Sequence, residues 1–320
     1  MISADTLVVQ HAALPDDQLE GLLLILQQTS AEASLEEARQ LLQQPQTGQW
    51  NFEHFFLATA TRQPETSSPF IVGSGLVIVQ PDGAALLWPF GLHPELDTES
   101  DQDLVVKGLL QALRNSLSRK QVWHFQVSLS EGLEIQARLL LANGFRELGK
   151  MQFLQRLCGI SAGQPENSDV NMQLVPFSQV MDQSTFALLI EQTYVDSQDY
   201  PELAGYRSGA EAVLSHQTQG TYRPDWWFVV LRDNQPAGVL LFAEHVDFRQ
   251  IELTYVGVVP AHRNQQLARI AIRRALHQFP PLTPVFLGVD ARNVSAVRLY
   301  ESLGFEEVMR QRIFCGPVQE

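Results

Sequence analysis

A strand, a charged loop and a helix follow one another over residues 251–268, whose sequence is IELTYVGVVPAHRNQQLA. The β-rich run stops at Pro260, and apolar residues then recur from Leu267 with the spacing of one helical face. The first N–H groups of a helix lack partners within it and lie at the positive end of its dipole. Arg263 and Arg269 flank the loop and add positive charge. The segment therefore predicts a site for an anion such as a phosphate, with a plain strand-to-helix connection as the alternative.

A second group of chemically useful side chains lies in residues 289–305, whose sequence is VDARNVSAVRLYESLGF. Asn293 and Tyr300 are seven positions apart, about two helical turns, so the two side chains face the same way. The reference pKa of a tyrosine, about 10, lies in the range of thiol pKa values, so Tyr300 is a plausible acid toward a thiolate. Helix capping alone would also explain Asn293, and core packing beside Ala296 and Leu303 would also explain Tyr300.

Taken together, the two segments resemble the GNAT N-acetyltransferase superfamily. The pattern V-x-V-x-P-x-x-R ends at Arg263, and N-x-x-A-x-x-L-Y-x-x-x-G-F then runs from Asn293 to Phe305. The resemblance covers residues from about 170 to 315. It implies an α/β (α+β) fold, in which a mixed and mostly antiparallel sheet is flanked by helices. It also implies transfer of an acetyl or other acyl group from acetyl-CoA to a primary amine by direct attack.

The resemblance further implies which residues hold acetyl-CoA. Backbone groups at the end of the strand would pair with the pantetheine arm as another strand does, and amide groups of the loop would hold the pyrophosphate. The cofactor-binding residues implied in this way are Val256, Gly257, Val258, Arg263, Asn264, Gln265, Gln266, Leu267, Ala268, Arg269 and Asn293. The thioester would lie where two central strands of the sheet diverge.

Two side chains are the implied catalytic groups. Glu252 occupies the strand position at which some members of the family have a carboxylate base, and a protonated amine must lose a proton before it attacks. The reference pKa of a glutamate, about 4.3, is low for a base, so we expect burial to raise the pKa of Glu252. Tyr300 would protonate the departing thiolate. His245 and His262 are alternative bases.

One residue departs from the phosphate loop of the family, which is Arg/Gln-x-x-Gly-x-Gly/Ala. Residues 263–268 have the sequence RNQQLA, so Gln266 stands where the first glycine is expected. A glycine lets the backbone approach phosphates closely. We therefore expect the side chain of Gln266 to point away from the loop while its N–H can still donate.

The two halves of the chain have the same outline, which predicts an internal duplication. In each half a strand, an amphipathic helix, a Gly-Phe pair and another strand follow in this order, with the pairs at Gly144-Phe145 and Gly304-Phe305. The glycine suits the left-handed residue that ends a helix, and we expect the phenylalanine in the core. Residues 159–169 form the predicted linker. We predict a degenerate GNAT-like domain over residues 1–160 and the acetyl-CoA-binding domain over residues 168–320.

The first half lacks the cofactor motifs. Its counterpart of the phosphate loop, residues 90–101, keeps the proline but carries four acidic residues that would repel a pyrophosphate. Alignment on the Gly-Phe pairs places Leu133 and Leu140 at the positions of Asn293 and Tyr300. We therefore predict that this half does not bind acetyl-CoA.

The composition excludes several other classes of function. The chain has 22 basic and 36 acidic residues, a net charge of −14, which argues against non-specific nucleic-acid binding and against a polybasic membrane surface. With only Cys158 and Cys315, no signal peptide and no apolar run of about 18 residues, we expect a cytoplasmic protein without disulfides. No Cys/His cluster has the spacing of metal ligands, so no metal is expected.

The stretch from Tyr194 to Tyr206 combines acidic and aromatic residues, which suits a cationic amine as the acceptor. A polar loop with a few anchoring aromatic residues is the alternative. The acceptor is expected to be an amine of a small molecule or a peptide. A non-catalytic acyl-CoA-binding or protein-interaction module is the alternative function, because of Gln266 and the eroded first half.

The pattern of apolar residues also predicts the elements of the second half. The predicted strands are 171–175, 226–232, 237–245, 251–259, 284–290 and 307–314, and the predicted helices are 184–195, 208–217, 264–278 and 294–303. In the first half, Pro64–Ser68 and Asp97–Asp103 are predicted loops.

Overall fold

The structure is a computed structural model that forms two compact units. Unit 1 contains Met1–Leu148 together with Gln311–Glu320, and unit 2 contains Gly149–Arg310. The structure describes residues 6–30, 32–43, 51–61, 69–118, 122–159, 171–199, 202 and 208–318.

Unit 1 is a mixed sheet with helices packed on it. Its elements are β1 (Leu7–His11), α1 (Pro15–Thr29), α2 (Leu35–Gln43), β2 (His54–Ala60), β3 (Phe70–Val79), β4 (Ala84–Leu87), β5 (Gly91–Leu92), α3 (Glu99–Leu117), β6 (His124–Ser130), α4 (Glu134–Ala142), the start of β7 (Arg146–Leu157) and the end of β13 (Glu306–Pro317). The strand order is β1-β2-β3-β4-β6-β13, and β5 pairs with β3. Strands β4 and β6 are parallel, and the other pairs are antiparallel.

Unit 2 repeats this order of elements. After the end of β7 come β8 (Met172–Pro176), α5 (Gln183–Tyr194), α6 (Gly209–Gln217), β9 (Thr221–Arg232), β10 (Gln235–His245), β11 (Gln250–Val258), α7 (Leu267–Leu276), β12 (Pro284–Asp290), α8 (Val294–Ser302) and the start of β13. The strand order is β7-β12-β11-β10-β9-β8. Strands β11 and β12 are parallel, and the other pairs are antiparallel.

Each face of the unit 2 sheet carries its own hydrophobic cluster. Trp227 and Val229 of β9 pack on the face covered by α5 and α6, whereas Phe228 and Val230 pack on the face covered by α7. This alternation follows from the period of two in a strand. Tyr300 of α8 also belongs to the cluster on the α7 face.

Short turn signals in the sequence explain how the elements end. The hairpin between β9 and β10 has Asp233 and Asn234 at φ values of 50° and 61°, which suit a two-residue hairpin turn. Gly144 and Gly304 follow their helices with φ values of 82° and 80°, and Phe145 and Phe305 are buried. Both predicted Gly-Phe helix ends are confirmed.

One predicted loop is wrong. Helix α3 begins at Glu99, so most of the predicted loop Asp97–Asp103 is helical. The side chain of Thr98 caps this helix by accepting the N–H of Asp101, and the acidic residues of the first turn favour a helix N-terminus. The other predicted loop, Pro64–Ser68, lies outside the described residues.

The two units differ in their bounds from the predicted domains 1–160 and 168–320. The division falls between Leu148 and Gly149, inside β7, and the last ten residues of the chain belong to unit 1. In unit 1, residues Gln311–Pro317 of β13 pair with β6. Only Gly159 of the predicted linker lies within the described residues.

Candidate functional site

The central strands β11 and β12 pair at one end only. Their parallel register joins Ile251 with Val285 and Glu252 with Phe286, and no later residues of these two described strands are paired with each other. Strand β10 continues to cover the other edge of β11 as far as Val258. The edge of β11 that faces β12 is therefore open beyond Glu252, as the predicted divergence of two central strands requires.

A bulge lies in β11 at the point of divergence. Leu241 of β10 pairs with Tyr255 and Phe242 pairs with Leu253, so Thr254 has no partner residue in the register. Its hydroxyl donates to the backbone oxygen of Leu241 at 3.3 Å. A bulge bends a strand and increases its twist, which explains why β11 leaves β12 here.

The loop between β11 and α7 contains two residues in the left-handed region. Asn264 has a φ of 61° and Gln266 has a φ of 59°. Gln266 thus takes up the conformation that a glycine adopts most easily, and it is exposed. No side chain caps α7, so its first N–H groups, from Leu267 to Arg269, lie at an uncapped helix start.

The charge of Arg269 supports an anion site at the start of α7. The Nε of Arg269 is buried, and no acceptor within the described part of the chain reaches it. Arg269 belongs to the first turn of α7, so its positive charge adds to that of the helix start. These groups fit the predicted pyrophosphate site.

The side chain of Arg263 has a structural role. Its Nε donates to the backbone oxygen of Val258 at 3.0 Å, at the end of β11. Its Nη2 donates to the backbone oxygens of Thr193 at 3.0 Å and Val195 at 2.6 Å, at the end of α5. These carbonyls form the negative end of the helix, which a cation stabilises. Arg263 therefore binds α5 to β11, and its contact with a pyrophosphate stays a prediction.

Gly257 is needed for the approach of α5 to β11. A Cβ atom at this position would lie 2.4 Å from the hydroxyl oxygen of Thr193 and 2.8 Å from that of Tyr255. These two hydroxyls are themselves 2.7 Å apart. The glycine in the strand is thus explained by packing as well as by any contact with a cofactor.

Tyr300 is buried under the divergent strands. It is 7% exposed and packs edge-on against Phe305. Burial raises the pKa of Tyr300 well above its ordinary value, and the nearby Asp199 and Tyr255 raise it further. The phenol stays protonated at neutral pH, but the raised pKa removes the match with thiol pKa values on which the predicted acid role was based.

Asn293 caps α8 and faces the same site. Its Oδ1 accepts the N–H of Ala296 at 3.1 Å, which confirms the capping role. Its side chain also lies close enough to the carboxyl of Asp199 to lower the pKa of that group. Capping therefore leaves the amide of Asn293 able to bind a second group.

Glu252 lies where the divergence begins and pairs with a histidine. Its Oε2 is 2.9 Å from Nε2 of His245, and the two side chains are 22% and 20% exposed. The expected burial of Glu252 is thus partial. The structure brings together the predicted base and one of the alternative bases, whereas His262 lies in the turn after β11.

The structure also places at the site one acidic residue of the stretch from Tyr194 to Tyr206, namely Asp199. Asp199 accepts the backbone N–H of Asp290, at the end of β12, with an Oδ1–N distance of 3.2 Å. Desolvation raises the pKa of Asp199, and the charge of Asp290 adds to this. The signal in the sequence was the acidic and aromatic stretch from Tyr194 to Tyr206, of which Tyr200 and Tyr206 lie outside the described residues.

The buried carboxylate of Asp290 is neutralised by Arg292. The guanidinium of Arg292 donates to both carboxylate oxygens of Asp290 and also binds Glu202 in a two-pronged ion pair. Arg292 thereby connects the end of β12 with Glu202. Arg292 thus holds Asp290, whose backbone N–H is bound by Asp199.

Two kinds of feature were not found. Within the described ranges, no group of three or more His, Cys, Asp or Glu residues is arranged to hold a metal ion. None of the helices described in the chain is both long and apolar enough to cross a membrane.

Comparison with known proteins identifies the fold. The acetyltransferase (GNAT) family pattern matches residues 190–305. A GCN5-related N-acetyltransferase from Sphaerobacter thermophilus has a similar structure, with a TM-score of 0.65 and 16% identity over 100% of this chain and 98% of that chain. A tandem GNAT protein from the clavulanic acid biosynthesis pathway gives a TM-score of 0.52 and 11% identity over 98% of each chain. No curated protein matches the sequence significantly.

A third similar structure is that of a GCN5-related glucosamine N-acetyltransferase region in a fungal multi-domain GH3 beta-N-acetylglucosaminidase. It has a TM-score of 0.62 and 13% identity over 97% of this chain and 38% of that chain. At such identities the likeness shows the fold, and it confirms the predicted mixed α/β class. Residues 190–305 thus carry the match to the acetyltransferase (GNAT) family, within a chain whose fold is that of GNAT acetyltransferases.

Proposed function

We propose that unit 2 is an N-acetyltransferase that transfers an acetyl group from acetyl-CoA to a primary amine. The observation that carries this proposal is the open edge of β11 next to the uncapped start of α7. A strand edge and a helix start are the two backbone features that suit an amide-containing arm and a diphosphate. Unit 1 is proposed to be a degenerate copy without this activity.

In this proposal the backbone of Val256–Val258 pairs with the pantetheine arm, and Asn293 donates to it. The N–H groups of residues 264–269 hold the pyrophosphate, with added charge from Arg269. Because Gln266 already has a left-handed backbone, its N–H keeps the direction that a glycine would give it. Its side chain is exposed, and in this proposal it points away from the diphosphate.

The chemical step needs a base and an acid. Glu252 accepts a proton from the ammonium group, and the free amine then attacks the carbonyl carbon of the thioester. As the C–S bond breaks, Tyr300 donates its phenolic proton to the leaving thiolate. The nitrogen loses its second proton as the amide forms, and this proton restores the phenol of Tyr300, while Glu252 releases its proton to solvent. The hydrogen bond to His245 orients the carboxylate of Glu252 at the point where the strands diverge.

The acceptor is proposed to be a cationic amine of a small molecule or peptide. The net charge of −14 and the carboxyl of Asp199 beside Tyr300 favour a positively charged partner. The same charge disfavours nucleic acids and anionic membrane surfaces as partners.

The test is a transfer assay with acetyl-CoA and a panel of amines, using the protein and a Tyr300→Phe variant. Phenylalanine keeps the packing against Phe305 but removes the proton donor, so we expect kcat to fall by about 100-fold. Tyr222→Phe is the matched control, because Tyr222 packs on Trp227 in β9. A Tyr300→Phe variant that keeps the parental rate at every pH would exclude Tyr300 as the acid.

A non-catalytic acyl-CoA-binding module is the second candidate. The glutamine at position 266 in place of glycine favours it. Under this alternative, acetyl-CoA would raise the melting temperature without transfer to any amine. Transfer to one amine in the panel would reject it.

A further inference from the structure

Unit 1 contains its own pair of diverging strands. Strand β4 is parallel to β6 from Ala84 to Leu86, and the chain then leaves β6 and continues through Phe90 into β5. Strand β5 pairs with β3 on its other side. Phe90 therefore lies beyond the point of divergence, in a position like that of the open edge in unit 2.

The strand register shows which residues of the two units correspond. In unit 1, Leu92 pairs with Gly73 and Gly91 pairs with Ser74. In unit 2, the pairs of the same kind join Val258 with Gly238 and Gly257 with Val239. Counting one residue back gives Phe90 in unit 1 and Val256 in unit 2. Val256 is the first residue proposed to pair with the pantetheine arm.

The side-chain amide of Gln136 hydrogen-bonds both backbone groups of Phe90. The N–H of Phe90 donates to Oε1 of Gln136 at 2.9 Å, and Nε2 of Gln136 donates to the oxygen of Phe90 at 2.8 Å. Nε2 also lies 3.2 Å from Oε1 of Gln28. Gln136 is 2% exposed. Its carboxamide thus makes the two hydrogen bonds that an amide of a bound arm would make with this strand.

The corresponding position in unit 2 has no such group. When the two units are aligned on the Gly-Phe pairs at 144–145 and 304–305, Gln136 of α4 corresponds to Ala296 of α8. A methyl group makes no hydrogen bond and leaves room beside the strand. The residue at this one helical position therefore distinguishes the filled strand edge of unit 1 from the open strand edge of unit 2.

The start of the helix that follows the divergent strand also differs between the two units, and again only the start in unit 2 is free to bind a cofactor. In unit 1 the side chain of Thr98 caps α3 by accepting the N–H of Asp101, and Thr98 in turn donates to the carboxylate of Asp101. That carboxylate is buried at the helix start, where it would repel a diphosphate. In unit 2 no side chain caps α7.

We propose that the carboxamide of Gln136 permanently fills the arm-binding edge of unit 1, so that the chain has one acyl-CoA site, and that Ala296 keeps the edge of unit 2 open. The residue at this helical position determines whether a unit accepts the cofactor. This inference rests on the proposed function, because it takes the edge at Val256 to be the cofactor site.

The first test is calorimetric titration of the full chain with acetyl-CoA. We expect one molecule bound per chain. Ala296→Gln is expected to weaken binding by about tenfold or more, because it supplies the same carboxamide beside Val256. Arg298→Gln, which adds the same carboxamide at an exposed position of the same helix, is the control and is expected to bind like the parent. Two molecules per chain, or an Ala296→Gln variant with parental affinity, would overturn the inference while leaving the proposed function intact.

The second test needs no cofactor. Hydrogen exchange of the Phe90 amide is expected to be slow in the parent and faster in Gln136→Leu, which fills the space without a hydrogen-bonding group. We also expect Gln136→Leu to lower the melting temperature by about 4 °C or more. Acetyl-CoA affinity should stay parental, because the site lies in unit 2. Fast exchange of Phe90 in the parent would overturn the inference even if no acetyl-CoA binds, an outcome that would separately reject the proposed function.

Discussion

The carboxyl of Asp199 lies beside three groups of the candidate site at once. It accepts the N–H of Asp290, the nearby amide of Asn293 lowers its pKa, and its charge raises the pKa of Tyr300. Desolvation raises the pKa of Asp199, although the residue is exposed to solvent. Groups with shifted pKa values are common at functional sites.

The raised pKa of Asp199 leads to a prediction for Asp199→Asn. Below the unfolded-state pKa of about 3.9, the aspartate is neutral in both states and the variant should melt like the parent. As the pH rises through the folded-state pKa, the charged form destabilises the parent only. Asn should therefore raise the melting temperature at neutral pH, by a small amount because solvent screens the exposed side chain. We also expect kcat/KM for a cationic amine to fall by about tenfold, through loss of the attracting charge.

Asp196→Asn is the control for this prediction. Asp196 is exposed and has a φ of 54°, a conformation that asparagine adopts readily, so the change should alter neither property. The measurements are melting curves between pH 4 and 8 and steady-state kinetics with the amine. A melting temperature of Asp199→Asn below that of the parent at neutral pH would contradict the assignment of a desolvated carboxylate.

Gln266 is the second residue whose conformation has a measurable consequence. A non-glycine residue in the left-handed region is about 1 kcal/mol less favourable than glycine there. Gln266→Gly is therefore expected to raise the free energy of unfolding by about 1 kcal/mol at most and to tighten acetyl-CoA binding. Gln265→Gly, at a neighbouring position without a positive φ, should instead lower stability. Chemical denaturation and calorimetric titration give both quantities, and a less stable Gln266→Gly would show that the backbone conformation differs.

At the scale of elements, most of unit 2 could be predicted from periodicity. The prediction of 284–290 for β12 is confirmed in full, and that of 294–303 for α8 differs by one residue. Helix α7 was predicted to begin at residue 264 but begins at Leu267. The cause is the left-handed backbone at Asn264 and Gln266, which interrupts a helix. Asparagine adopts this conformation readily, but the glutamine at position 266 does not signal it.

Contacts between elements explain why other parts of the site could not be predicted. The bonds of Arg263 to the end of α5 join residues about 70 positions apart, and no local pattern encodes them. The same holds for Asp199 and Asp290, which are 91 positions apart. Local motifs thus located the strand, the loop and the two helices, whereas tertiary packing decided which charges meet.

The link between α5 and β11 predicts the effect of Arg263→Met. Methionine keeps the aliphatic part of the side chain but removes the donors to Val258, Thr193 and Val195. We expect a loss of about 2 kcal/mol in the free energy of unfolding and weaker acetyl-CoA binding, because the loop before α7 loses its support. Denaturant titration measures the first effect. Arg249→Met, at the exposed turn before β11, is the control and should leave stability unchanged. Parental stability in Arg263→Met would contradict the structural role.

At the scale of the whole molecule, the last ten residues of the chain belong to unit 1 and not to unit 2. Residues Gln311–Pro317 pair with β6 over seven positions, and Phe314 and Val318 belong to the hydrophobic cluster of unit 1. The sequence indicated two similar halves, but an exchange of terminal strands leaves no local signal. A division at the predicted linker would therefore separate unit 1 from one of its strands.

This arrangement predicts the behaviour of a fragment made of residues 1–160. Without residues 311–320, β6 becomes an unprotected edge strand and the core of unit 1 loses Phe314, which is fully buried in the intact chain. We expect the fragment to lack a cooperative thermal transition or to aggregate. Adding a peptide of residues 311–320 should restore a transition, and the same peptide with Phe314→Ser should not. A fragment that alone melts cooperatively at the temperature of the intact chain would show that unit 1 is complete without its last strand.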